Sequence, residues 1–284
     1  MDVPLDQRAI QALFELPDRE GEFPPQAKNY LLDLGRRRPA VVLAFAPKSA
    51  GTFLRSAVIA ASGGELVRIV HAQGGRDAQP YLPTLIAYYL GGVTSGPLVT
   101  HVHLQALGAN LRFFEAFNIR PIIMIRSVPD MLASYWDMLD MEIGALSQGL
   151  NCGIPQAWPT FTADQKADFL IDMLGPWYAS YFGTWLEYAQ KADERVCLLE
   201  FSDFVSDPTT IVWKICKHSG LQISRAKCQR AVDGTWKERY QLRYNQGEEG
   251  RGRRYFKPRH FEHLARMLSF YPAALARQEE LLPL

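Results

Sequence analysis

Residues 41–56 read VVLAFAPKSAGTFLRS, and this stretch decides the fold. The six apolar residues at 41–46 read as a buried strand. Pro47 has no N–H with which to extend it. Lys48, Ser49, Ala50, Gly51 and Thr52 then make a short turn of small residues with one cation. From Thr52 onward, Phe53, Leu54, Ala57, Val58 and Ala61 recur at helical spacing. A strand, a small turn and a helix in that order build a cradle for phosphate. The N–H groups of the first helical turn point at the anion, and the helix dipole favours it. Gly51 lets the backbone come close to the anion. Lys48 supplies a point charge, and Ser49 and Thr52 supply hydroxyls.

The nucleoside-triphosphate loop G-x-x-x-x-G-K-[ST] is absent. Here the lysine precedes the glycine and the turn is shorter, which argues against a magnesium-dependent NTPase. The plainer alternative is a strand–turn–helix with an incidental surface lysine, a common unit of α/β domains.

The bulk composition fits one large α/β domain. The chain has 284 residues, 48% hydrophobic and 21% charged, ordinary globular values. A net charge of +1 leaves no global basic field for nucleic acid. Basic residues cluster locally, at Arg36, Arg37 and Arg38 and over 239–259. The four cysteines (Cys152, Cys197, Cys216, Cys228) form no C-x-x-C pair, so reduced buried thiols and a reducing compartment are expected. The opening MDVPLDQRAIQALFELPDRE is acidic and broken by proline, unlike a secretory signal. No apolar run reaches the ~18 residues of a membrane span. A cytoplasmic protein is expected.

Along the chain, residues 1–39 read as a helical cap with helices over 8–16 and 26–34. Gly63-Gly64 ends the helix after the cradle. A strand is expected over 66–71 and a short helix over 85–90. PLVTHVH at 97–103 reads as a strand with Val99, His101 and His103 on one face. In open α/β sheets, ligands sit beyond the carboxyl ends of the strands, where the cradle also falls. One of the two histidines is therefore a candidate general base. The other possibility is a histidine hydrogen-bonded within the fold.

A helix over 106–118 precedes a buried strand over 120–125 that ends in Arg126. Ser127 then caps a helix with Asp130 at the third position, a capping-box variant. Ser134 follows Arg126 by eight residues, so the two can grip one anion from two sides. Residues 144–162 read as an inserted lid loop. The aromatic-rich helix over 168–191 reads as core that also walls a pocket. A strand over 195–201, a turn over 203–208, helices over 209–219, 224–232 and 259–270, and a glycine- and arginine-rich loop over 244–254 complete the chain.

Three separated stretches carry a resemblance. PKSAGTFL at 47–54 resembles the 5′-phosphosulfate loop P-K-S-G-T-T-W-L of sulfotransferases that use PAPS (3′-phosphoadenosine 5′-phosphosulfate). Arg126 and Ser134, in IRSVPDMLASYWDM, resemble that family's 3′-phosphate motif. NQGEEGRG at 245–252 is similar to its late glycine-rich segment. EFSDFVSDP at 200–208 is similar to a weaker landmark, Y-E-D-L-x-x-D-P, with Phe201 and Ser202 in place of Tyr and Glu.

The resemblance implies a three-layer α/β fold, a mostly parallel sheet flanked by helices, of the P-loop NTPase-like sulfotransferase type. It implies one domain over 1–284, with 1–39 as cap and 144–162 as lid on the acceptor side. It implies PAPS as co-substrate, PAP as product, and a small-molecule or glycan acceptor attacked at a hydroxyl or amine. It gives Lys48 the phosphosulfate and the leaving oxygen, and Ser49, Ala50, Gly51, Thr52 and Phe53 the 5′-phosphate, with Phe53 near the adenine. It gives Arg126, Ser134, Gly250, Gly252 and Arg251 (or Arg243) the 3′-phosphate. His101 is the implied general base and His103 the fallback. Ala50 stands where the family has glycine. Sulfuryl transfer of this kind needs positioning and charge stabilisation and no metal. The rival readings are a non-catalytic nucleotide-binding scaffold on the same fold and a small-molecule kinase.

Overall fold

The structure, a computed structural model, describes residues 25–71, 78–90, 96–141, 153–238 and 248–283. The expected helix over 8–16, Cys152, Arg243, residues 144–152 of the lid loop and residues 244–247 of the glycine- and arginine-rich loop lie outside them. Five parallel strands make one sheet: β1 (Ala40–Leu43), β2 (Glu65–Leu66), β3 (Leu98–His101), β4 (Ile122–Ile125) and β5 (Cys197–Glu200). Their order is β2-β3-β1-β4-β5. From β1 the chain crosses to β2 through the Gly51–Ser62 helix, returns to β3, and then passes to the other side of β1 to lay down β4. That reversal puts the topological switch point at the carboxyl end of β1, where ligands bind in such sheets.

The strand pattern splits cleanly between two faces. Val41, Leu43 and Phe45 enter one apolar cluster, while Val42, Ala44 and Ala46 enter the other. Ile122 and Met124 join the first cluster, and Ile123 and Ile125 the second. The alternation of side chains along a strand therefore builds two cores on opposite faces of one sheet. The Gly51–Ser62 and Arg225–Lys237 helices pack together on one face. The Gly108–Ala116, Val128–Met141 and Ala163–Lys191 helices contribute to the other.

Several sequence boundaries shift. The expected strand over 66–71 is only a two-residue ladder. Val67 makes one more bond to Val99, then Tyr81 returns to donate to Ile69 at 2.7 Å and the chain leaves the sheet. The long helix starts at Ala163, earlier than 168, because Thr162 and Gln165 form a capping box. A six-residue helix, Phe201–Ser206, replaces the expected turn. In the long helix, Tyr178, Tyr181, Phe182 and Trp185 are fully buried, so this stripe is core. Cys197, Cys216 and Cys228 are free thiols, and burial pushes Cys216 up to about 12. No helix among the described residues is long and apolar enough to cross a membrane.

Trp185 is fully buried and its indole N–H donates to the Leu104 carbonyl at 2.7 Å. Trp185→Ala is expected to lower the unfolding free energy by about 3–5 kcal/mol in denaturant melts. Removing the exposed Arg254–Glu248 pair by Arg254→Ala changes it by about 1 kcal/mol or less.

Candidate functional site

The sheet ladder of β1 ends at Leu43, but the chain stays buried as far as Pro47. A buried carbonyl without a partner is costly, so each one here must be satisfied. Five consecutive carbonyls take side-chain donors: Tyr181 Oη to Ala44 (2.5 Å), His103 Nδ1 to Phe45 (2.8 Å), Ser49 Oγ to Ala46, Tyr178 Oη to Pro47 (3.1 Å) and Arg126 Nη1 to Lys48. The donors come from the long helix, the segment after β3, the turn itself and the end of β4. The approach to the turn is thus held by three neighbouring segments and by the turn's own Ser49.

The turn itself presents donors. Lys48 and Ala50 both have positive φ, 67° and 61°. Left-handed residues in a short turn aim successive N–H groups into one concavity that suits an anion. Ala50 is also the residue before the Gly51–Ser62 helix and offers no side-chain cap to its first turn. Ala50 therefore takes the backbone conformation that a glycine would adopt without strain. Ser49 is buried, its hydroxyl turned to the Ala46 carbonyl, so an anion here would meet its backbone. Lys48 is half-buried, with Nζ 3.6 Å from the Met138 thioether.

Gly51 answers to a second constraint. A Cβ built there would lie 2.2 Å from His101 Nε2. The imidazole of His101, at the end of β3, presses against the first turn of the helix, and only glycine leaves room. The His101 and His103 rings lie 4.9 Å apart, edge to face. His103 Nδ1 faces a carbonyl, which can only accept, so Nδ1 carries a proton. In the neutral ring Nε2 then holds the lone pair.

Arg126, at the end of β4, is 8% exposed. Its guanidinium carbon sits 3.8 Å from the centre of the Phe201 ring. Phe201, which departs from the family landmark, thus forms the floor under the arginine. Arg126 reaches the Lys48 carbonyl and the Phe201 ring.

Asp130 does something else. Ser127 accepts the Asp130 N–H at 3.3 Å, as a cap should. The reciprocal half of the capping box is not made: the Asp130 carboxylate accepts the N–H groups of Gly250 (2.8 Å) and Gly252 (2.7 Å). Gly250 has φ +76°, and a Cβ on Gly252 would lie 2.3 Å from Pro129. Both glycines are therefore required by this docking. Arg251, between them, is 3% exposed and pairs with Asp137 and Tyr255. Burial by itself would depress its pKa, but Asp137 and, after it, Tyr255 together hold it above the ordinary value. Ser134 is buried on the same helix, between these two carboxylates.

Phe53 is 2% exposed and packs between Phe204 and Trp236, at 5.5 and 4.7 Å between ring centres. It belongs to the core behind the cradle, and the half-buried Trp236 is the aromatic ring beyond it. Sequence reasoning missed Asp137, Tyr255, Trp236 and the carbonyl bonds of the Tyr178 and Tyr181 hydroxyls. Only Asp137 left a signal: Asp130, Ser134 and Asp137 follow the four-then-three spacing of one helical face. Among the described residues, no group of three or more His, Cys, Asp or Glu is arranged to hold a metal ion.

Ala50→Gly is expected to raise stability by about 1 kcal/mol, because it removes a left-handed Cβ. Gly51→Ala is expected to lower it, since the His101 ring must move. Denaturant unfolding of both variants checks the pair of signs.

A sequence model of the sulfotransferase domain matches residues 94–249, over half of the chain. It takes in both histidines, Arg126 and Asp130, and begins after the cradle. No curated protein sequence matches. Among solved structures, mouse sulfotransferase SULT7A1 complexed with PAP aligns at TM-score 0.60 and 14% identity, over 92% of this chain and 96% of that one. Retinol dehydratase in complex with androsterone and inactive cofactor PAP aligns at TM-score 0.51 and 14% identity, over 100% and 98%. At such identity these two show a shared fold. With the domain match over the histidine strand and the arginine strand, the chain belongs to the sulfotransferase family.

Proposed function

We propose that the protein moves a sulfuryl group from PAPS to a hydroxyl or amine of a small-molecule acceptor by in-line displacement, with a histidine as general base. The observation that carries this reading is the convergence at the switch point. A left-handed turn bearing Lys48 lies between His101 at the end of β3 and Arg126 at the end of β4. PAP, present in both similar structures, is what PAPS leaves after giving up its sulfuryl group. The androsterone in one of them supports a small-molecule acceptor here.

The residues suit the donor. The amides of Ser49 to Thr52 would hold the 5′-phosphosulfate by the uncapped helix start. Arg126 and Ser134, with the Gly250, Arg251 and Gly252 loop, would hold the 3′-phosphate. PAPS supplies the sulfuryl group: the acceptor oxygen or nitrogen bonds to sulfur as the sulfur–oxygen bond to the 5′-phosphate breaks. The imidazole takes the acceptor's proton. The electron pair of the broken bond leaves on the phosphate oxygen, and the Lys48 ammonium stabilises that charge. A thioether is a weak acceptor, so the contact of Lys48 with Met138 is readily exchanged for an anionic oxygen.

The resemblance names His101 as base, but the anchoring of Nδ1 favours His103. Its neutral ring presents the lone pair on Nε2, and it is less buried than His101. His101 then sets the distance between the cradle helix and the base. We read residues 1–284 as one domain, with 1–39 as cap and 144–162 as lid. The free thiols support a reducing, cytoplasmic setting.

Incubation with labelled PAPS and a panel of hydroxyl and amine acceptors tests this. Transfer is expected with the wild type. His103→Ala and Lys48→Ala should each lower kcat by about a hundredfold or more, with a smaller loss for His101→Ala. No transfer to any acceptor, together with no binding of adenosine 3′,5′-bisphosphate, sinks the reading.

A further inference from the structure

The resemblance gives the Gly250–Gly252 loop, with its amides, to the 3′-phosphate. Here two of those amides are already taken. Gly250 is left-handed and Arg251 is right-handed helical, φ −65° and ψ −31°. That succession folds the N–H groups of a loop around one anion. The anion it surrounds is the Asp130 carboxylate, which takes the Gly250 and Gly252 N–H groups on separate oxygens at 2.8 and 2.7 Å. Asp130 is 2% exposed and lies in the first turn of the Val128–Met141 helix, where the dipole favours a negative charge.

Seven residues on, Asp137 holds the other end of the same loop. One of its oxygens takes Arg251 Nη2, and the other takes the Tyr255 hydroxyl at 2.6 Å. Arg251 Nε is buried and has no hydrogen-bond partner among the described residues. One helical face thus presents two carboxylates, one to the loop backbone and one to the loop's arginine. Ser134 stands between them on that face.

We propose that Asp130 and Asp137 are positioning residues that fix the Gly250–Gly252 loop and its Arg251 beside Ser134, and so set the preference for a nucleotide bearing a 3′-phosphate. This rests on the functional reading above. Neither carboxylate touches the ligand. Asp130 acts by filling the loop's backbone concavity, which leaves Arg251 as the loop's contribution to the anion. Asp137 acts by holding the guanidinium, through one nitrogen, on the helix face that carries Ser134.

Calorimetric binding of adenosine 3′,5′-bisphosphate and adenosine 5′-monophosphate to the full-length protein tests the proposal. An amide at 130 can accept one N–H but presents N–H groups to the other, so Asp130→Asn loosens the loop without emptying the site. Asp137→Asn lies at a partly exposed position, and it keeps the test alive if the first variant does not fold. The wild type is expected to prefer the bisphosphate. Each folded variant should narrow that preference about tenfold, with monophosphate affinity changed by no more than about twofold. The KM for PAPS should rise more than the KM for the acceptor. Folded variants that keep the full preference, or that lose both nucleotides equally, overturn the inference and leave the functional reading standing. A wild type that binds neither nucleotide overturns both.

Discussion

The exit of the chain from β1 governs the architecture of the site. A buried strand that stops pairing must still satisfy its backbone, and the five carbonyls from Ala44 to Lys48 each accept a side-chain donor. The donors are drawn from segments far apart in sequence, so the turn cannot take this shape until the sheet and the long helix are in place. The same bonds fix His103 and Arg126. Each of these residues therefore serves the scaffold and faces the switch point at once. Loss of either one removes a part-buried hydrogen bond that holds the turn.

Close approach is the second constraint on the site. Gly51 is small because His101 lies against it, and Gly252 is small because it abuts Pro129. Neither glycine is at a left-handed φ. The left-handed positions of the cradle are instead held by Lys48 and Ala50, which carry strain of about 1 kcal/mol or more each. A turn that aims its amides outward needs those dihedrals whichever residues supply them. The over-determined surroundings hold them there.

The long aromatic helix has a related task. Sequence reasoning assigned its stripe to core and to a pocket wall, and the buried rings are core. Two of them also carry hydroxyls to the Ala44 and Pro47 carbonyls. Tyrosine here acts as a core residue with a polar tip, which phenylalanine could not match.

The sequence by itself determined the alternation of layers, the strand–turn–helix at 41–56, the strand ends bearing His101 and Arg126, and the Ser127 cap. All of these are local: periodicity, turn residues and caps act within a few positions. Tertiary structure alone decided the strand order, the partner of Arg126, the burial of Phe53 and the seating of Gly250 and Gly252 on Asp130. Asp130 shows why. Its sequence neighbours predict a capping box, and a buried carboxylate at a helix start accepts whichever amides come within reach. Those amides come from 120 and 122 residues away. No local pattern encodes a partner so distant, because packing of the whole chain brings it there.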